Sequence, residues 1–154
     1  MNVRAEWSAI DEAQLHAVAV ALAQSVGAGG TLFLEGDLGA GKTTFARALL
    51  GALGVGERIK SPTYSLIESY QVGDLRIHHL DLYRIAGADE LHWLGLADLL
   101  DGPSLLVVEW PERGTGALPE ADLRLQLSHR GDRRDLVALP ASGRGAEWIS
   151  RLPA

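Results

Sequence analysis

The sequence predicts an α/β domain, and three observations predict it. A short apolar run at residues 31–35 (TLFLE) leads through a Gly-rich turn into an amphipathic helix from Thr43 onward. A second run, SLLVVEW at 104–110, is apolar on both faces, as a central strand covered on both sides must be. Two pairs of strand-like segments meet at Gly73-Asp74 and Gly131-Asp132, which read as hairpin turns.

In chain order, Ser8 is expected to cap the first helix, with Asp11 and Glu12 favouring its positive end. Leu15, Val18, Leu22 and Val26 follow at helical spacing, and the glycines at 27–30 stop the helix. The strand at 31–35 comes next. Phe45, Ala48, Leu49, Ala52 and Leu53 then form one apolar stripe, with Gly54 as the C-terminal stop. Strands are expected at 65–70 and 75–82. Asp89 is expected to cap a helix running to about Leu100. The strand at 104–110 ends at Pro111, and 123–128 with 134–139 form the second hairpin. The last stretch, 141–154, is Gly-rich, weakly helical and expected to be mobile.

With 154 residues, 47% of them apolar and 22% charged, the chain has the balance of one globular domain spanning 1–154. Its net charge of −6 lacks the basic surplus of a free-standing nucleic-acid binder. Having no cysteine, it has no disulfide, thiolate zinc site or cysteine nucleophile. The five histidines show no zinc-ligand spacing. No apolar run follows a basic start, and none is long enough to span a bilayer, so a cytoplasmic location without membrane contact is expected.

The strongest motif is Gly36-Asp37-Leu38-Gly39-Ala40-Gly41-Lys42-Thr43, which fits GxxxxGK[ST], the Walker A phosphate loop, between a strand and a helix. Glycines let the backbone turn its N–H groups onto phosphate oxygens. The helix N-terminus adds about half a positive charge aimed at the same anion. Lys42 supplies a point charge for the β- and γ-phosphates, Thr43 a hydroxyl for Mg²⁺, and Thr44 extends the binding segment. Twelve arginines and only two lysines, Lys42 and Lys60, make the lysine in this loop notable. The competing reading is a Gly-rich turn carrying a chance lysine. The only asparagine is Asn2, so the NKxD guanine reader is missing and ATP is the default nucleotide.

A phosphate loop of this kind works with a second acidic group that holds the Mg²⁺ shell from a neighbouring strand. Glu109, closing the apolar strand, and Asp81, ending HHLDLYR, are the candidates. The alternatives are a surface strand end for Glu109 and a cap or turn residue for Asp81. His79 shares a strand face with Asp81 and reads as a structural residue. Lys60-Ser61-Pro62-Thr63-Tyr64 is a candidate γ-phosphate sensor or a plain Pro turn. Trp110 is a candidate for stacking on adenine or for packing against the sheet. Arg84 is a phosphate or partner contact, or a solvated charge.

The segments GDLGAGKTTFARAL, KSPTYSLIESY, HHLDLYRI, LGLADLL and VVEWPER, in this order from about Gly36 to Arg113, resemble the bacterial TsaE family, the small P-loop ATPase of tRNA threonylcarbamoyladenosine biosynthesis. The resemblance implies a P-loop NTPase-like three-layer α/β/α fold with a mixed sheet. It implies ATP and Mg²⁺ as ligands and weak ATP hydrolysis in isolation. It implies the TsaD and TsaB proteins as partners, with tRNA engaged only through that complex. Residues Gly36 to Thr43 map onto the phosphate site, Thr43 and Glu109 onto the magnesium positions, and Asp81 onto the acidic HxDxYR position. Ser61 to Thr63 map onto a switch-like segment and Trp110 onto the tryptophan after the glutamate. On these grounds Lys42, Asp81 and Glu109 are the expected catalytic residues. Two rival functions remain: a small-molecule kinase, for which no arginine-rich lid stands out beyond Arg58 and Arg84, and a nucleotide-dependent binding module without useful turnover.

Overall fold

The computed structural model describes residues 4–56, 66–93, 95–100 and 102–153. Within them, one seven-stranded mixed sheet has the order β1-β7-β6-β2-β5-β4-β3. Its centre is β6 (Leu123–Arg130), β2 (Gly30–Glu35), β5 (Ser104–Glu109) and β4 (Leu75–Asp81), all parallel. The edges are antiparallel: β3 (Ile67–Val72) pairs with β4, and β7 (Arg133–Pro140) pairs with both β6 and β1 (Ala5–Ile10).

Strand alternation builds two cores, one on each face of the sheet. Leu32 and Leu34 of β2, with Leu105 and Val107 of β5, point into the larger core, where α1 (Glu12–Ala23) and α2 (Lys42–Leu53) supply Leu15, Leu22, Phe45 and Leu49. Leu106 and Val108 point to the opposite face, beneath Leu91 of α3 (Ala88–Trp93) and Leu96 of α4 (Leu96–Leu99). The layering is therefore helix, sheet, helix, as the sequence leads one to expect. None of the helices among the described residues is long and apolar enough to cross a membrane.

Several local expectations are corrected. Ser8 lies in β1 and caps nothing; the cap of α1 is Asp11, whose side chain accepts from the Gln14 N–H while Gln14 Oε1 accepts from the Asp11 N–H. The strand β1 went unread because its pairing partner, β7, lies at the far end of the chain. It also carries a kink at Ala9, whose φ of 51° is left-handed. Asp135 holds that kink by accepting from the Ala9 N–H at 2.8 Å. Val26 is buried but lies beyond α1. On α2, Ala52 is exposed, whereas Ala46 and Leu50 are buried, so the buried stripe runs wider and ends earlier than expected. The helix expected from Asp89 to Leu100 is broken in two at Gly95, whose φ of 73° no continuous helix accepts. Asp89 lies inside the first turn of α3.

The Gly-rich C-terminal stretch, expected to be weakly helical and mobile, forms α5 (Gly143–Ser150), which packs Trp148 and Ile149 into the larger core. Ser142 caps it by accepting from the Gly145 N–H, and the Ser142 hydroxyl donates to Asp122. Trp148 fits because Gly30 has no side chain; a Cβ there would overlap the indole.

Candidate functional site

The chain leaves β2 at Glu35 and enters α2 through the glycine-rich loop. Gly36 has a φ of 147° and lies so close to the Leu127 carbonyl oxygen on β6 that a Cβ would overlap it. Gly41, with a φ of 109°, is the N-cap of α2 and makes no side-chain capping bond. The contrast with α1 is chemical: one helix start is closed by a capping box, the other leaves its first-turn N–H groups uncapped by any side chain, ready for an anion. Between the two glycines, Ala40 is buried and donates to the Asp37 carbonyl, while Leu38 at the tip is 67% exposed.

Lys42 is folded back over its own loop. Its ammonium donates to the carbonyls of Gly36 and Asp37, and lies 3.8 Å from the centroid of the Trp110 ring. Burial pushes its pKa below the usual lysine range, while Glu109, then Glu112, Asp81 and Asp37 pull it back up. The position of Trp110 depends on a left-handed backbone, φ 59° and ψ 50°, which turns the chain sharply after Glu109 and lays the indole against the lysine. Tyr83 packs on the same indole with ring centroids 4.8 Å apart, and the Arg113 guanidinium stands 5.1 Å from the Tyr83 ring. Trp110 thus packs on the sheet end and on Lys42 together.

Glu109 and Asp81 are register partners at the ends of β5 and β4, next to the loop. Glu109 is 2% exposed. Its Oε1 accepts from the Thr43 hydroxyl at 2.6 Å and its Oε2 is 2.7 Å from Nε2 of buried His79. His79 therefore clamps the carboxylate that faces the loop. Asp81 is also buried and accepts from the Tyr83 N–H. A cleft of about 350 Å³ opens between these groups, lined by Leu38, Gly39 and Gly41 to Thr44 of the loop, by Asp81, Tyr83 and Arg84, by Glu109 and Trp110, and by Arg134. That is the size range of a small-molecule site.

The donor set fits a nucleotide and its magnesium. The Thr43 hydroxyl and one Glu109 oxygen lie side by side in a direct hydrogen bond, two hard oxygen ligands placed together beside the cleft. Among the described residues, no cluster of three or more His, Cys, Asp or Glu forms a cation cage by itself. A magnesium ion held by Thr43 and Glu109 would take the rest of its shell from water and phosphate oxygens.

The structure brings together Lys42, Thr43, Thr44, Asp81, Arg84, Glu109 and Trp110 around one cleft. Arg58 and the segment from Lys60 through Ser61 and Thr63 to Tyr64 lie outside the described residues. Two residues escaped the sequence reading. His129 on β6 has its Nε2 at 3.2 Å from the Leu38 carbonyl, and Arg134 on β7 donates to the Ala40 carbonyl at 3.3 Å. Their only sequence signal is a basic cluster on a hairpin, which fits a solvated edge equally well.

A sequence model of the family described as "Threonylcarbamoyl adenosine biosynthesis protein TsaE" matches residues 9–136. The chain is 40% identical over 119 residues to the tRNA threonylcarbamoyladenosine biosynthesis protein TsaE of Haemophilus influenzae, covering 77% of this chain and 75% of that one. Against the Bacillus subtilis protein of the same name it is 33% identical over 144 residues, covering 94% and 90%. Among solved structures it is similar to Bacillus subtilis YdiB, with a TM-score of 0.76 and 29% identity over 97% of this chain and 94% of that chain.

Proposed function

The chain belongs to the TsaE family, and from that premise we propose that it is a magnesium-dependent ATPase of tRNA threonylcarbamoyladenosine biosynthesis, working in a complex with TsaD and TsaB and meeting tRNA only through them. The observation that carries the ATPase reading is the convergence of Lys42, Thr43, Asp81 and Glu109 on one cleft at an uncapped helix start.

In this reading the loop amides and Lys42 hold the triphosphate. Thr43 and Glu109 are the residues that would hold magnesium, which would supply neutralisation of phosphate charge. His79 fixes the Glu109 carboxylate and Trp110 fixes the lysine. Asp81 orients the attacking water. The water's oxygen forms the new bond to the γ-phosphorus as the bond to the β–γ bridging oxygen breaks; one water proton stays on the inorganic phosphate, the other passes to solvent, and ADP leaves. The charge gathering on the leaving oxygen falls within reach of the Lys42 ammonium. Positioning and electrostatics carry the reaction, because phosphoryl transfer asks for little covalent chemistry.

The test is release of free phosphate from ATP by the purified protein, with and without TsaD and TsaB. Slow release alone and a marked increase with both partners is the expected result. Lys42→Ala is expected to lower turnover by at least about 100-fold. Undiminished turnover in that variant overturns the site. Phosphorylated metabolite formed in equimolar amount with ADP makes the protein a kinase instead.

A further inference from the structure

Glu109 has two carboxylate oxygens, and the fold gives each a different neighbour. Oε1 accepts from the Thr43 hydroxyl at 2.6 Å, beside the cleft. Oε2 lies 2.7 Å from Nε2 of His79, which stands on the adjacent strand β4 and is completely buried. A carboxylate has no proton to offer, so Nε2 carries the hydrogen and donates. The other ring nitrogen, Nδ1, is buried and has no hydrogen-bond partner among the described residues. An unpaired polar atom in the interior is unfavourable, so packing alone would favour an apolar side chain at this place. What the imidazole contributes is its hydrogen bond to Glu109.

The division between the two oxygens bears on which cation the cleft accepts. Thr43 gives its proton to Oε1, which leaves the lone pairs of its own oxygen for a cation. With Oε2 held by a buried ring, Glu109 offers the cleft a single oxygen. Among the described residues, no cluster of three or more His, Cys, Asp or Glu supplies further ligands. Magnesium suits such a site, because it takes about six oxygens at about 2.0–2.1 Å and few of them come from protein. Calcium takes about six to eight at about 2.3–2.6 Å and gains from a carboxylate that binds through both oxygens. We propose that His79 is a positioning residue for cation choice: by holding Oε2 it confines Glu109 to one-oxygen binding, and so favours magnesium over calcium in the nucleotide complex. This rests on the magnesium–nucleotide reading of the cleft and deepens it.

The test compares two cations on one nucleotide. Equilibrium binding of ATP is measured in saturating Mg²⁺, in saturating Ca²⁺ and in EDTA, and the gain each cation gives over EDTA is taken. Wild type is expected to gain more from Mg²⁺ than from Ca²⁺. In His79→Leu, which removes the donor, the ratio of the two gains is expected to fall about tenfold, the scale of losing a group that orients a metal ligand. His79→Gln, whose amide N–H stands near the place of Nε2, is expected to keep the ratio within about twofold of wild type. His79→Asn, whose amide stops short near the place of Nδ1, is expected to lose the ratio as His79→Leu does, and carries the test if His79→Leu does not fold. Equal losses of both gains would mean that His79 supports the strand ends without choosing a cation, and overturn the proposal. So does an unchanged ratio in the variants that lack the donor, a loss in His79→Gln as large as theirs, or a wild-type gain from Ca²⁺ that matches the gain from Mg²⁺. Wild-type protein that binds no ATP, or binds it alike with and without cations, overturns the magnesium–nucleotide reading itself, a result distinct from these.

Discussion

The Thr43 hydroxyl donates a 2.6 Å hydrogen bond to Glu109 Oε1, tying the first turn of α2 to the end of β5 across the phosphate cleft. The fold itself joins these two residues, the pair proposed to hold the magnesium. The second oxygen of the same carboxylate is held by His79, which leaves Glu109 little freedom to swing away.

Glu109→Gln keeps the shape of the side chain and removes its charge. Magnesium is expected to stop strengthening ATP binding in this variant, and turnover to fall about 100-fold. Affinities measured in magnesium and in EDTA check the first point; an undiminished magnesium effect would refute the assignment of Glu109.

Gly36→Ala is expected to cost about 1–3 kcal/mol of stability, from a left-handed backbone together with overlap on the Leu127 carbonyl. Urea unfolding measures the loss. A variant as stable as wild type would show that β6 yields at this contact.

Trp148→Ala opens a hole where α5 covers the start of β2. Removing an indole that is 3% exposed is expected to cost about 3–5 kcal/mol and to speed hydrogen exchange along α5. A small change in the unfolding midpoint would mean that the C-terminal helix is only loosely attached.

His78 is buried beside Ser69, its Nδ1 lying 2.8 Å from the Ser69 hydroxyl. Burial lowers its pKa from the ordinary 6.5; the backbone at Leu99 opposes the shift and the charge of Arg76 adds to it. The unfolded chain therefore takes up this proton first as pH falls through about 6.5, and stability drops below that value. The fall in urea midpoint between pH 7 and pH 5 is expected to be smaller in His78→Gln than in wild type. Identical falls would remove His78 from the acid response.

The phosphate loop was legible because its chemistry is contiguous: eight consecutive residues set the turn, the lysine and the hydroxyl together. The positions of Glu109 and Asp81 at strand ends beside the loop were legible because apolar runs mark strands without help from the rest of the chain. The elements misread, Ser8 as a cap and 89–100 as one helix, were those in which local signals competed. Asp11 outcompeted Ser8 once β1 paired with β7, and Gly95 interrupted a pattern that otherwise continued.

The sequence by itself determined the α/β layering, the glycine-rich turn between strand and helix, and the acidic residues at the neighbouring strand ends, since each follows from short-range spacing or one-face hydrophobicity. Tertiary structure alone decided that Arg134 crosses the loop from 94 residues away, that His79 clamps Glu109, and that Trp110 lies against Lys42. The physical reason is that strand order and register determine which side chains converge on the loop, and the pairing of distant segments is a property of the whole sheet that no local window of sequence contains.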